Sequence, residues 1–227
     1  MAAAGSGERL GAGGPKAFVP VAGRPLIEWS LDACRACESV RSIVVAAPPG
    51  HVGDLAGHDL GVVPGGATRA ESVANALEAV GTEYVAIHDA ARPLLTPELV
   101  EALIADLDAA TTAAGVIAAA PLTDTVKRAV KNLSGELSTT TVSNPPLAIE
   151  RTEDRAELWA AQTPQVFRTD ALRQALAAAE RPQEATDEAM LVEWNGGRVL
   201  IHPVAEPNLK VTTPLDLRVA ELLLAER

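Results

Sequence analysis

Short runs of β-branched and small apolar residues alternate along this chain with longer stretches whose apolar positions recur at helical spacing. Residues 42–47, 61–64, 84–88, 115–120 and 198–203 read as strands, the first of them stopped by Pro48-Pro49. Residues 25–37, 68–79, 97–113, 169–179 and 214–226 read as helices, several opening on a proline or a Ser/Thr cap. Strands regularly followed by helices predict an α/β fold in which crossover units feed a mainly parallel sheet. Residues 121–157 break the rhythm, being rich in Thr, Ser, Asn, Pro and charge, with a turn at 131–135. A long irregular excursion inside one domain reads as an arm that projects from the sheet and carries a hairpin. The chain, 1–227, is expected to be a single domain with that arm.

The amino end is anomalous for such a sheet. A glycine-rich turn that binds phosphate normally follows a strand, yet only Met1-Ala2-Ala3-Ala4 precedes Gly5. Either the residues of a first strand lie outside this sequence, or the sheet lacks a central strand.

Composition narrows the partners. Aromatic residues make up 3% of the chain, so the core must come from Ala, Val, Leu and Ile, and no base-stacking surface for single-stranded nucleic acid is expected. The formal charge is −11, from 30 acidic and 19 basic residues, which argues against nucleic acid or an anionic membrane as partner. Any anionic ligand must then be met by a few focused cations. No run approaches the roughly eighteen apolar residues of a membrane span, and the amino end is unlike a signal peptide; the chain reads as cytoplasmic. Cys34 and Cys37 lie one helical turn apart, and with no second pair they read as small core residues rather than a metal or redox site. Asn132-Leu133-Ser134 matches a glycosylation acceptor, which has no meaning without secretion.

Three stretches could carry chemistry. Gly5-Ser6-Gly7 leads through Arg9, Gly11, Gly13 and Gly14 to Pro15-Lys16, a glycine-rich turn bounded by two cations and in outline a phosphate cradle. Its spacing fits neither a P-loop nor the dinucleotide fingerprint, which disfavours a dehydrogenase. Gly65-Gly66-Ala67-Thr68-Arg69-Ala70-Glu71-Ser72 is a second glycine turn opening a helix, where the glycines admit a flat ring and Ser72 can read a base edge; it also reads as a plain tight turn with Thr68 as N-cap and Glu71 at the capping-box position. His88-Asp89-Ala90-Ala91-Arg92-Pro93 stands at a strand end, where open α/β sheets bind ligands. Asp89 is a hard ligand suited to Mg²⁺ and Arg92 a phosphate fork, or the two pair locally; His88 either serves the site or points into the core. Lys210 stands near the end of a short strand late in the chain, where a lysine is ordinarily surface charge.

In order, Ala3-Ala4-Gly5-x-Gly7-x-Arg9 with Pro15-Lys16, His88-Asp89-Ala90-Ala91-Arg92-Pro93, Asp124-Thr125-x-Lys127, Asp154-Arg155-x-x-Leu158-Trp159, Thr163-Pro164-Gln165, Thr186-Asp187-Glu188-Ala189 and Lys210-Val211-Thr212 closely resemble the 2-C-methyl-D-erythritol 4-phosphate cytidylyltransferases. The resemblance implies a Rossmann-like nucleotidyltransferase fold, three-layered with a mostly parallel sheet and a projecting β-arm. It implies an enzyme that joins CTP and methylerythritol phosphate with release of pyrophosphate, aided by Mg²⁺ or another divalent cation. Arg9, Lys16 and Lys210 would be catalytic. Ala3, Ala4, Gly5, Gly65, Gly66, Ser72 and Ala90 would surround the nucleotide. Asp89, Arg92, Thr125, Arg155 and Thr186 would serve the acceptor, with Asp89 also holding the metal. A homodimer is implied, with Thr125 and Arg155 of the arm completing the neighbour's site. Met190 departs from the small polar residue often found there. Two rivals keep the CTP-side motifs: a cytidylyltransferase acting on ribitol 5-phosphate, and a non-catalytic CTP-binding homologue.

Overall fold

The computed structural model describes residues 1–11, 14–55, 59–130 and 147–226, with the Arg9 side chain outside the description. A two-residue ladder, β1 (Pro20–Val21) with β2 (Arg24–Pro25), precedes α1 (Leu26–Arg35), β3 (Val44–Ala47), β4 (Gly61–Pro64), α2 (Arg69–Leu77), β5 (Tyr84–Ile87) and α3 (Pro97–Ala109). Next come β6 (Gly115–Pro121), β7 (Lys127–Val130), β8 (Ala148–Thr152), β9 (Trp159–Arg168), α4 (Thr169–Ala178), α5 (Glu188–Trp194), β10 (Val199–Pro203) and α6 (Pro214–Ala225). The predicted strands and helices all occur, most of them shorter by one to four residues, with β4 as predicted and β6 running one residue further. Threonine caps set three of the helix starts: Thr68, Thr96 and Thr213 accept from the N–H of Glu71, Leu99 and Asp216, and Thr213 completes a capping box with Asp216.

Four strands form one sheet in the order β10-β6-β9-β5, and β3 pairs in parallel with β4. β5, β6 and β10 share a direction, while β9 runs against both of its neighbours. The sequence pattern missed β9, because its polar residues and Pro164 hide the alternation. Pro164 stands opposite the register shift between Ile117 and Ala119, the kind of irregularity that lets a strand tolerate proline. α5 was missed as well, being too short for its periodicity to declare itself.

Apolar side chains pack on both faces of the sheet. Phe167 and Ile117 meet Val73 and Leu77 of α2, Leu172 of α4 and Leu191 of α5 on one face. Val166, Val116 and Ala118 meet Leu103 and Leu107 of α3 on the other. Neighbouring strand residues therefore serve opposite faces, and each fully buried side chain contributes roughly 1.5–3 kcal/mol. Cys37 belongs to a small apolar cluster beside α1 and α3, donates to the Ala33 carbonyl, and burial pushes its thiol up to about 12.

Within the excursion, β7 and β8 pair antiparallel in a largely exposed ladder with one register shift. Residues 131–146, which include the predicted turn and the Asn132 motif, lie outside the described residues.

Ala2 forms parallel bridges to both Ala46 and Asp89, so the first residues enter between the ends of β3 and β5. That junction places the first glycine turn at the carboxyl ends of the strands.

Candidate active site

The amino-terminal turn is hung on backbone ladders. Ala2 N–H donates to His88 C=O at 2.8 Å, Ala90 N–H to Ala2 C=O at 3.1 Å, and Ala3 N–H to Ala46 C=O at 3.0 Å. The loop closes where Lys16 N–H donates to Gly5 C=O at 3.2 Å. Gly7 holds φ 75°, a left-handed conformation, and a Cβ there would lie 3.0 Å from the Gly14 carbonyl oxygen. Arg9 belongs to the turn Glu8–Leu10; its side chain lies outside the described residues.

The second turn leans on the first. A Cβ on Gly65 would stand 2.3 Å from the Ala4 Cβ, so only glycine lets the two turns approach. The Ser72 hydroxyl accepts from Gly66 N–H at 3.1 Å and donates to Thr68 C=O at 2.9 Å. Its proton is thus engaged in shaping the turn, and what it can offer a base edge is acceptor capacity. The Glu71 carboxylate accepts from Ala67 N–H at 2.8 Å, one residue short of the expected capping-box partner.

These segments enclose a cavity of about 380 Å³ whose walls include Ala3, Ala4, Gly5, Lys16, Gly66, Ser72, Asp89, Ala90 and Lys210. Most of the residues singled out in the sequence therefore meet in one place, with Gly65 directly behind Ala4. Thr125, Arg155 and Thr186 do not line it. Thr125 and Arg155 are exposed on the excursion, where the Arg155 guanidinium donates to the Thr123 carbonyl. Thr186 is exposed before α5, with its hydroxyl 3.8 Å from the Met190 sulfur.

Arg92 departs from expectation. Its guanidinium is buried, donates to the Asn208 carbonyl at 2.6 Å, and is absent from the cavity wall. It does not pair with Asp89 either. Its Nε is buried without a partner among the described residues, and burial lowers its pKa. Lys210 lies in an extended segment rather than a strand, fixed where Val211 N–H donates to Ala91 C=O at 2.8 Å.

Sequence reasoning overlooked Arg69 and Glu188. Arg69 Nη1 alone reaches both oxygens of the Glu188 carboxylate while its Nε donates to Asp89 Oδ1 at 3.2 Å; Lys210 Nζ lies 2.7 Å from Asp89 Oδ2. Burial works against both charges, but Glu188 and Asp89 hold the Arg69 pKa above its ordinary value. Likewise Arg69 and Lys210 outweigh burial and hold Asp89 well below the usual carboxylate range. One signal was available: an arginine in the first turn of a helix opposes the helix dipole, and a locally unfavourable choice marks a tertiary or functional demand.

Asp89 is the one carboxylate among the described cavity-lining residues, and no cluster of three or more His, Cys, Asp or Glu suited to a metal occurs among the described residues. That donor set fits Mg²⁺, which commonly takes one protein carboxylate and completes its shell with substrate phosphates and water. It does not fit a cation held by protein alone.

His88 turns into the core. The Thr163 hydroxyl accepts from Asp89 N–H at 3.0 Å and lies 3.2 Å from His88 Nδ1, while His88 Nε2 lies 3.2 Å from the Arg92 carbonyl and 3.3 Å from the Ser30 hydroxyl. A neutral ring with its proton on Nε2 satisfies this network, and burial, only partly opposed by Asp89, lowers the His88 pKa to about 4. Unfolded histidine titrates near 6.5, so the unfolded chain binds this proton first. The stabilisation from neutral His88 is complete above pH 6.5 and is lost as pH falls towards 4, by about 3 kcal/mol across that window. Denaturant midpoints between pH 7 and 4 should fall for the native sequence and fall less for His88→Gln; parallel curves would assign the acid sensitivity to other groups.

Comparison with known proteins identifies the family and the fold. The family model described as 2-C-methyl-D-erythritol 4-phosphate cytidylyltransferase matches residues 1–226. The enzyme of that name from Synechococcus sp. (strain CC9902) is 39% identical, with 100% of this chain and 97% of the relative covered. That of Frankia casuarinae is 43% identical over 98% of this chain and 79% of the relative. The crystal structure of 2-C-methyl-D-erythritol 4-phosphate cytidylyltransferase from Thermus thermophilus superposes with a TM-score of 0.77 at 35% identity, covering 99% of this chain and 97% of that one. The fold is therefore the Rossmann-like nucleotidyltransferase fold, and the chain belongs to the 2-C-methyl-D-erythritol 4-phosphate cytidylyltransferase family.

Proposed function

We propose that this chain joins CTP to 2-C-methyl-D-erythritol 4-phosphate, giving 4-diphosphocytidyl-2-C-methyl-D-erythritol and pyrophosphate in the non-mevalonate isoprenoid route. The observation that carries the reading is the meeting of both glycine turns with Lys16, Arg69, Asp89 and Lys210 around one cavity, in a chain of this family.

Two anions must be brought together for this reaction, so positioned positive charge supplies most of the catalysis. The triphosphate lies on the first turn, with Arg9 and Lys16 as its cations. Cytosine and ribose lie against Ala3, Ala4, Gly5, Gly65, Gly66, Ser72 and Ala90. Lys210 holds the acceptor phosphate, drawing Asp89 with it; Thr186 stands at the acceptor's far side, and Arg92 acts from behind through the Asn208 segment. An acceptor phosphate oxygen attacks the α-phosphorus in line. The new P–O bond forms as the α–β bridging bond breaks, and that electron pair leaves with pyrophosphate, so no protein nucleophile is required. Mg²⁺, or another divalent cation, held by Asp89 and the triphosphate oxygens, would neutralise charge on the phosphates.

The working form in this reading is a cytoplasmic homodimer in which the arm, residues 121–157, brings Thr125 and Arg155 to the neighbouring site. What supports it is that both residues are exposed and away from their own chain's cavity.

Pyrophosphate release with CTP and Mg²⁺ is the test, with methylerythritol phosphate in one reaction and ribitol 5-phosphate in another. Release with the first alone is expected. Release with only the second moves the assignment to the ribitol enzyme, and CTP binding without release in either makes the chain a binding protein.

Lys16→Ala and Arg155→Ala should each lower kcat, the former by about 10²-fold or more. Protomers carrying one change each, once mixed and exchanged, should regain activity, because one site of every mixed dimer is intact. No recovery despite demonstrated exchange would place Arg155 at its own chain's site or outside the reaction.

A further inference from the structure

Arg69, Asp89 and Lys210 line the cavity, whereas Glu188 is buried behind them and is absent from its wall. Glu188 therefore reaches the ligand side only through Arg69. The helices that carry the pair, α2 and α5, already share an apolar core through Val73, Leu77, Ala189 and Leu191. A buried ion pair is no better a staple between them than apolar side chains of similar volume.

What the pair does is visible in how the guanidinium meets Asp89. The Nε–Nη2 edge of an arginine matches the two oxygens of a carboxylate, and two parallel bonds are the favoured geometry. Here both nitrogens stand 3.2 Å from a single oxygen, Asp89 Oδ1. Nη1 is drawn the other way, onto the two Glu188 oxygens. Asp89 Oδ2 is thereby left to Lys210, whose Nζ stands 2.7 Å from it. The arginine fork is held open by its buried end.

The geometry points to Glu188 and Arg69 as positioning residues: Glu188 anchors Arg69 so that it grips Asp89 through Oδ1 alone and leaves Oδ2 for Lys210 and the divalent cation. The inference rests on the proposed reading of the site, in which Asp89 meets the metal. Once Lys210 is shared with the acceptor phosphate, Glu188 is what keeps the fork from closing over both oxygens.

Glu188→Gln tests this, because it keeps the shape and one acceptor but removes the charge. In its crystal structure Arg69 should form two parallel bonds to both Asp89 oxygens, with Lys210 displaced from Oδ2. Arg69 still on Oδ1 alone, with Lys210 in place, overturns the proposal. In pyrophosphate release, the Mg²⁺ concentration for half-maximal rate should rise about 10-fold or more, while KM for CTP at saturating Mg²⁺ is unchanged. The shift should vanish in an Asp89→Asn background, since Glu188 acts through Asp89; equal shifts in both backgrounds would make Glu188 a structural residue. Should Glu188→Gln fail to fold, the double change Arg69→Met with Glu188→Met, which replaces the pair by apolar side chains, should fold and show the same Mg²⁺ shift, and an unshifted requirement overturns the proposal. Silence of the native chain with methylerythritol phosphate would sink the functional reading instead, and the crystal structure would still decide how Arg69 is held.

Discussion

The buried contact between Arg69 and Glu188 is the constraint on which the site's arrangement depends. A carboxylate that is 1% exposed must be paired or neutralised, and Arg69 reaches it with a side chain that also faces Asp89. Breaking such a buried pair by removing one partner typically costs about 3–5 kcal/mol, so Arg69 has little freedom to leave. Asp89 is consequently held between a fixed guanidinium and Lys210. The residue proposed to meet the metal already sits in balanced positive charge.

Other elements follow from that clamp. Glu188 is the first residue of α5, and Asp187 caps that helix by accepting from Met190 N–H at 3.0 Å. Gln165 of β9 then ties the cap to the sheet, donating to Asp187 at 2.8 Å while its carbonyl oxygen accepts from Ala189 N–H at 3.3 Å. On the far side, Asn208 donates to the Thr163 carbonyl at 2.9 Å and so fixes the segment that carries Lys210. Thr163, Gln165, Asp187 and Glu188 thus help to hold the segments that carry Arg69, Asp89 and Lys210 in place.

The sequence reveals what is local. The glycine turns, the threonine caps and the alternation of apolar strands with amphipathic helices all follow from neighbours in the chain, and they were legible. Arg69 and Glu188 are 119 residues apart, and no local pattern reports such a pair. Arg92 reads as a phosphate fork from its place after a strand, whereas its burial and its bond to the Asn208 carbonyl depend on a segment 116 residues away. Ser72 lines the cavity, and the direction of its hydroxyl proton depends on Thr68 and Gly66. β9 stayed hidden because Gln162, Thr163, Pro164 and Gln165 interrupt its apolar alternation, while Val166 and Phe167 are buried by helices distant in the chain.

The central claim is that the two glycine turns and the segment after β5 form one nucleotide site. Hydrogen–deuterium exchange with and without CTP and Mg²⁺ tests it most directly. The account predicts slowed exchange in residues 2–7, 65–72 and 89–91 together, with little change in the exposed β7 and β8 ladder of a protomer given CTP alone. Protection of only one turn, or protection centred away from both, would contradict it.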